Sequence, residues 1–391
     1  MVSEIFWPEG GGAELATYLI LKILRDTGHK ITVVTGTSSP ALIKCIKFYY
    51  TNLLGNHNRV ERWRRVYLLS KESWFINLLS SHDIFYIPLF AYPLIPIAKK
   101  YDIKVIVHMH NYVAVRYHGV KYYFEKDKLN TLEELKIGLW HEMHVQKSLT
   151  RTLFMPVSYI LYKIGTTWLE HADTIICVSK RQAEIIKACL PQLHKKIVVI
   201  YNPLPPLPDL KKNMSRIPTF LYVGGYNLVK GFPIVLKLFM ELHKQGFKFK
   251  LYMAGDYNKC KYVIPSTIPI KILGRIPYAK LLELYKEAWA LIFPSICEEP
   301  LPYAILESIL TDTIPIAPKT GGIIELLQGA EAEKYLFTPN NIKQLVSIVR
   351  DLINTDIKNL TYIAEKTKKQ IIKRIDERRL KLFTIFNSFA K

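Results

Sequence analysis

The chain has 391 residues, 49% hydrophobic and 22% charged, a mix too apolar for a disordered chain and long enough to bury the cores of two or three domains of roughly 150 residues. Its longest uncharged run, residues 84–98, is broken by Pro88, Pro93 and Pro96 and falls short of the roughly 20 apolar residues of a spanning helix. The 54 lysines and arginines exceed the 33 acidic residues by 21, which points to polyanionic company: nucleic acid, an anionic membrane face or phosphorylated small molecules.

Helical and strand patterns alternate along the whole length, the pattern of parallel sheets with helices on both faces. After the glycines at 10–12, Leu15, Tyr18, Leu19 and Ile23 recur at helical spacing up to Gly28. Apolar runs at 31–35 (ITVVT), 83–89, 104–110 (KVIVHMH), 174–179 and 196–202 then read as buried strands. Residues 202–218 carry four prolines within six positions and lysines after them, which forbids regular structure and reads as a linker. The alternation restarts with strands at 219–225, 249–255, 270–274, 290–295, 314–318 and 335–339. Helices are expected from about 230 to 245, from 278 to 288, from 302 and after Gly321-Gly322, and residues 357–391 read as a basic helix. The expected architecture is α/β, with two doubly wound units in tandem.

The charge excess is shared, with 26 basic against 17 acidic residues in 1–210 and 28 against 16 in 211–391, so it is not a basic tail. The first residues show no basic flank followed by an apolar core and a cleavage site, and the chain is expected to be cytoplasmic. Five cysteines without a C-x-x-C are expected to be buried thiols. No metal-ligand set is expected: the segment HEMH (141–144) spaces its histidines three apart, not four.

Ligands bind open parallel sheets where strands lead into helices. The loop PEGGGAE (8–14) lies at such a place, and its glycines and the following helix start suit an anion such as a diphosphate, or simply make a tight turn. The segment VGGYNLVKG (223–231) repeats the theme with Lys230 at a helix start. In SICEEPLPYAILESIL (295–310), Glu299 and Glu307 would stand about 12 Å apart on one helix. Pro302 suits only a first helical turn, so Glu299 is expected in the preceding loop and Glu307 on the helix, where a carboxylate can accept both hydroxyls of a ribose.

Together, the GGGAE loop, the VGG…KG pair, the eight-residue spacing of Glu299 and Glu307 and the phrase CVS…KIVVIYNPL resemble the retaining glycosyltransferases of family 4, from Val2 to about Pro339. The resemblance implies a GT-B fold, two Rossmann-like domains facing a cleft. It implies transfer of a hexose from a UDP- or GDP-linked sugar to a glycan or lipid-linked acceptor, with retention and without a metal or other cofactor. The absence of a D-x-D agrees. Residues 1–203 would form the acceptor-side domain, 204–218 the linker, 219–356 the nucleotide-sugar domain and 357–391 a segment that can cross back. By the same resemblance Gly11 and Gly12 meet the diphosphate and sugar, and Gly225 belongs to the second glycine loop. Lys230 clamps the diphosphate, Glu307 holds the ribose, and His110 and Glu299 sit beside the transferred sugar as catalytic residues. Arg275 and Ile276 meet the base, and the amides of Leu301 and Tyr303 face phosphate.

Three departures stand out. Tyr226 replaces the family's arginine, with Arg275 a candidate substitute. Pro300 and Pro302 replace glycines, and little sequence precedes the first loop, so the first strand is expected to be cut short. Of His108 and His110, expected to point to opposite faces, at most one reaches the site. The basic and aromatic stretch 44–65 and the acid-free stretch 143–169 either rest on an anionic membrane or form ordinary core and solvated faces. Alternatives of other kinds are a soluble disaccharide synthase or phosphorylase, and a silent scaffold that binds a partner. No nucleic-acid-binding pattern is present.

Overall fold

The computed structural model describes residues 1–207, 211–258, 260 and 265–389. Residues 208–210 of the expected linker and 390–391 of the expected terminal segment lie outside the described residues. The chain divides into two units. Unit 1 comprises Met1–Lys121, Glu125–Pro203 and Asp376–Lys391, and unit 2 comprises Tyr122–Phe124 and Leu204–Ile375.

Unit 1 carries seven strands among its described residues: β1 (Val2–Ser3), β2 (Thr32–Thr35), β3 (Lys47–Tyr50), β4 (Ile84–Ile87), β5 (Lys104–Met109), β6 (Thr174–Cys177) and β7 (Ile197–Val199). They pair in parallel as β1-β2-β3 and β4-β5-β6-β7, and β1 lies beside β4. The spatial order is therefore 3-2-1-4-5-6-7, a doubly wound arrangement in which β1 and β4 adjoin. Apart from the largely exposed edge strand β3, its strands are buried, and their alternating side chains enter clusters on the two faces. Val105, Val107 and Met109 join one hydrophobic cluster with Ile175 and Cys177, whereas Ile106 and Ile176 join the other with Ile20, Val33 and Tyr86. β1 is cut to two residues, which pair with Val34 and Thr35.

The helices of unit 1 are α1 (Gly12–Asp26), α2 (Arg59–Leu69), α3 (Ser73–Ser80), α4 (Ile95–Lys100), α5 (Thr131–Trp140), α6 (Leu149–Leu153), α7 (Met155–Leu169) and α8 (Lys180–Cys189). The stretch 44–65 is not one surface. It divides into β3, a loop and the start of α2, where Arg64 and Arg65 pair with Glu61 and Trp63 is buried.

In unit 2, strands β8 (Thr219–Val223), β9 (Lys250–Ala254), β10 (Ile270–Gly274), β11 (Ala290–Ile292), β12 (Ile314–Pro318) and β13 (Leu336–Phe337) form one parallel sheet in the order β10-β9-β8-β11-β12-β13. Counted within the unit this is again 3-2-1-4-5-6. Its helices are α9 (Phe232–Lys244), α10 (Tyr278–Glu287), α11 (Tyr303–Leu310), α12 (Gly322–Leu327) and α13 (Ile342–Ile353), with the first part of α14 (Ile357–Asn387). The helix expected from about 230 starts at Phe232, because Gly231 takes φ +78° as its cap and Pro233 occupies the first turn.

Two chain segments cross the sequence order. Tyr122 forms an antiparallel bridge with Cys297, and the Tyr123 amide donates to the Ile296 carbonyl at 3.2 Å. At the other end, α14 buries Leu360, Ile363 and Ile371, and its later residues Leu382 and Phe386 pack into the cluster of Ile20, Tyr86 and Ile106.

Candidate functional site

In unit 2 the site is built on three loops at the carboxyl ends of strands. After β8, Gly225 takes φ +60°, and a Cβ there would lie 2.6 Å from the Asp256 amide nitrogen. The loop closes further on, where a Cβ on Gly231 would meet the Pro294 carbonyl oxygen at 2.0 Å. Both positions require glycine, and between them the loop holds Lys230 against the segment that follows β11.

Lys230 Nζ donates to Glu299 Oε1 at 2.6 Å. The same oxygen accepts from Ser295 Oγ at 2.9 Å and from Cys297 Sγ at 3.3 Å. The Lys230 side chain is 36% exposed and that of Glu299 11%, so the lysine is half-buried while the carboxylate is enclosed. Burial alone would raise the Glu299 carboxyl, but the Lys230 charge and these hydrogen bonds hold it below its ordinary range. Burial likewise opposes the Lys230 charge, and Glu299 outweighs it, raising the ammonium group. The Cys297 thiol is pushed well above its usual value by burial and by the Glu299 charge, which leaves it a neutral hydrogen-bond donor.

The backbone of Glu299 is fixed from the other side. The Gly322 amide donates to its carbonyl at 2.9 Å and the Gly321 amide to Glu298 Oε2 at 2.7 Å. Gly321 takes φ +58°, and a Cβ there would fall 2.2 Å from the Glu299 carbonyl oxygen. Pro302 caps α11, so Glu299 stands in the loop and Glu307 on the helix. Leu301 and Tyr303 are both buried at the foot of that helix.

Glu307 accepts from Tyr278 OH at 2.9 Å and from Tyr285 OH at 3.4 Å. Burial pushes its carboxyl up to about 7, against the two tyrosine hydrogen bonds. Arg275, just past Gly274, is exposed and pairs with Asp256 at 3.1 Å. Ile276 beside it is half-buried. The Asp256 carbonyl also accepts from the Tyr226 amide at 2.7 Å, so Asp256 links Arg275 to the loop from which the family's arginine is missing.

In unit 1 the glycine loop opens α1. Gly11 is its cap and Gly12 its first residue, both exposed. Gly11 N–H, however, donates to Glu14 Oε2 at 2.6 Å, so the helix's own carboxylate uses one donor of the proposed anion site. Burial raises that Glu14 carboxyl. His110 follows β5 directly, and both its ring nitrogens are buried without a hydrogen-bond partner. Burial pushes it down to about 3, so it stands as a neutral imidazole. The expectation that His108 and His110 point apart is corrected. Residues two apart on a strand share a face, and their rings lie 4.3 Å apart, with His108 Nδ1 held 2.8 Å from Tyr86 OH.

One further expectation is revised. Cys177 and Cys297 are buried, but Cys45 is exposed. In the HEMH segment, Glu142 is enclosed by Arg59 Nη1 at 2.6 Å and Tyr117 OH at 3.2 Å, and the His141 ring stacks on His118 at 4.3 Å. Among the described residues no group of three or more His, Cys, Asp or Glu could hold a metal ion.

Residues 10–206 match the family described as Glycosyltransferase Family 4, and residues 211–370 match Glycosyl transferases group 1. The chain belongs to glycosyltransferase family 4. Gly11, Gly12 and His110 fall within the first match of this glycosyltransferase, and Lys230, Glu299 and Glu307 within the second. No curated protein matches the sequence. Among solved structures the glycosyltransferase is similar to Anabaena HepE in complex with UDP-glucose, at 15% identity over 99% of this chain and 98% of that one, with a TM-score of 0.67. It is also similar to sucrose-phosphate synthase from Thermosynechococcus elongatus, at 13% identity over 97% and 94%, TM-score 0.69. A third is WaaG, a glycosyltransferase involved in lipopolysaccharide biosynthesis, at 13% over 97% of each chain, TM-score 0.63. These likenesses establish the GT-B fold.

The sequence reading missed Ser295, Cys297, Tyr278 and Tyr285. Ser295 and Cys297 alternate with Glu299, the spacing that puts side chains of an extended segment on one side. Tyr278 and Tyr285 are seven apart on α10, two helical turns, and so share a face.

Proposed function

We propose that this glycosyltransferase moves a hexose from a nucleotide-diphosphate sugar, UDP-linked as in the HepE complex or GDP-linked, to a glycan or lipid-linked acceptor with retention at the anomeric carbon. The observation that carries the reading is the Lys230 cation, held by Glu299 at 2.6 Å on a glycine-built loop, with its side chain 36% exposed. In this reading the bond from the anomeric carbon to the β-phosphate oxygen breaks, the acceptor oxygen bonds to that carbon on the same face, and the acceptor's proton passes to the departing diphosphate. Lys230 and backbone amides in the Leu301–Tyr303 turn stabilise the charge that grows on the leaving group. Glu299 keeps Lys230 in place and faces the sugar hydroxyls, and Glu307 takes the ribose diol.

Arg275 and Ile276 border the base, and Gly225 gives the backbone close approach to the diphosphate. Gly11, Gly12 and His110 are assigned to the transferred sugar on the family resemblance. A neutral His110 is a hydrogen-bonding partner for a hydroxyl and not a cation for phosphate. No metal is invoked, on the ground that the sequence has no D-x-D. The acceptor side is proposed to work in the cytoplasm at an anionic membrane face. No helix of the described residues is long and apolar enough to cross a membrane.

The test is turnover of UDP- and GDP-hexoses against glycan and lipid extracts, with the anomeric configuration of the product read by NMR. The reading expects activity that is lost in Lys230→Ala and Glu307→Ala and persists in EDTA. Turnover equal in the variants and the parent would overturn the assignment, and an inverted product would overturn retention.

A further inference from the structure

Helix α7 is apolar on two sides. Its inner side buries Met155, Tyr162, Gly165, Thr166 and Leu169. Its outer side, continued from α6, presents Leu153, Phe154, Val157, Ile160 and Ile164 to solvent, at 77%, 60%, 43%, 59% and 40% exposure. Leu149, at the start of α6, is 82% exposed. These positions follow helical spacing, so they form one stripe where a solvated helix would carry polar residues. The stripe lies in residues 143–169, which hold no aspartate or glutamate, and Lys147 and Arg151 flank its most exposed leucines. The third cation, Lys163, is paired with Glu134 at 2.8 Å. In the other stretch considered for membrane contact, 44–65, Arg59 pairs with Glu142, and Arg64 and Arg65 pair with Glu61.

We propose that α6 and the outer face of α7 lie in the plane of a membrane surface, with the leucines and isoleucines among the acyl chains and Lys147 and Arg151 at anionic headgroups. At 15 residues α7 is too short to cross a bilayer, so in-plane immersion is the geometry an apolar outer stripe allows. The cations select the occupant. A stripe whose own segment carries cations and no acidic residue complements an anionic lipid surface, and the excess of 21 positive charges over the whole chain adds long-range attraction of the same sign. This inference rests on the membrane-face part of the proposed function and is independent of the donor chemistry.

The experiment is co-sedimentation of the full chain with vesicles of phosphatidylcholine alone and of phosphatidylcholine with about 30% phosphatidylglycerol, without any sugar nucleotide. Binding is expected to the anionic vesicles and to fall steeply between about 0.1 M and about 1 M salt, where the screening length shortens from about 10 Å to about 3 Å. Leu153→Glu with Ile160→Glu is expected to lower the bound-to-free ratio about tenfold or more. Lys147→Glu with Arg151→Glu should remove the preference for anionic lipid, and Ile324→Glu, a control on exposed surface of unit 2, should bind like the parent. Lys230→Ala, silent in turnover, should bind vesicles fully, which separates failure of this inference from failure of the donor reading. Unchanged vesicle binding in Leu153→Glu/Ile160→Glu overturns the proposal. So does a parent that is dimeric by sedimentation and becomes monomeric in that variant with vesicle binding intact, since the stripe then joins two copies of the chain.

Discussion

Replacing Glu307 by glutamine probes a carboxyl that the fold holds up to about 7. An unfolded glutamate titrates near 4.3. Below that value both states bind the proton and the group contributes nothing to the pH dependence. Between the two values the folded chain keeps a proton that the unfolded chain has released, so stability falls as pH rises through this window and levels off above about 7. Each unit of displacement is about 1.4 kcal/mol, so the full fall reaches about 4 kcal/mol. Glu307→Gln removes it. Relative to the parent, the variant should gain up to about 3 kcal/mol between pH 5 and pH 8.5, read from urea unfolding at the two pH values. Nucleotide binding should show the same group. A ribose diol donating to Glu307 favours the ionised carboxyl, so UDP binding below pH 7 should release protons, and its affinity should rise with pH up to about 7. Calorimetry in buffers of different ionisation enthalpy measures that release. A variant that tracks the parent within about 0.5 kcal/mol at both pH values, with no proton release on binding, refutes the account of a carboxyl held neutral by burial.

Lys230→Met should lower kcat/KM by about a hundredfold to a thousandfold, the usual cost of losing one donor to a developing anion. It also leaves Glu299 enclosed without its cation, so steady-state rates should be paired with thermal unfolding, and a variant with parental kcat/KM would rule out a role on the diphosphate. Gly321→Ala forces a Cβ to within 2.2 Å of the Glu299 carbonyl at φ +58° and should cost about 1–3 kcal/mol, seen as a lower urea midpoint. No change there would mean that the turn is freer than described. In unit 1, Arg116→Met leaves Glu125, now paired with it at 2.6 Å and buried, without its guanidinium, and should destabilise by about 3–5 kcal/mol. A change below about 1 kcal/mol would show the pair to be dispensable. Native Cys297, buried with a raised thiol, should react with a thiol reagent far more slowly than exposed Cys45, as peptide mapping of labelled protein would reveal.

The sheets were legible because their strands are short, unbroken apolar runs between turn residues: TVVT in β2, KVIVHM in β5, TIIC in β6. β3 was not, since KFYY is largely exposed and reads by composition as a basic aromatic surface. Helices α6 and α7 escaped for a different reason. Apolar residues on both the inner and outer sides flatten the 3.6-residue rhythm that reveals a helix. At the site, Lys230 and Glu307 stood out through glycines and spacing. Their neighbours Ser295, Cys297, Tyr278 and Tyr285 have common side chains whose meaning depends on which loop packs against which helix, and that is a tertiary fact. The histidine pair shows the reverse: the period of a strand already dictated that His108 and His110 share a face.

The exchange of segments between the units bears on how this chain can be divided. A fragment ending at residue 203 would retain Tyr122, whose bridge partner Cys297 it lacks, and would leave the Ile20, Tyr86 and Ile106 surface without Leu382 and Phe386. A fragment starting at 204 would carry those two apolar residues with nothing to cover them. Neither half is a self-sufficient module, so recombination with a relative's half has to move residues 122–124 and the end of α14 along with the bodies they complete.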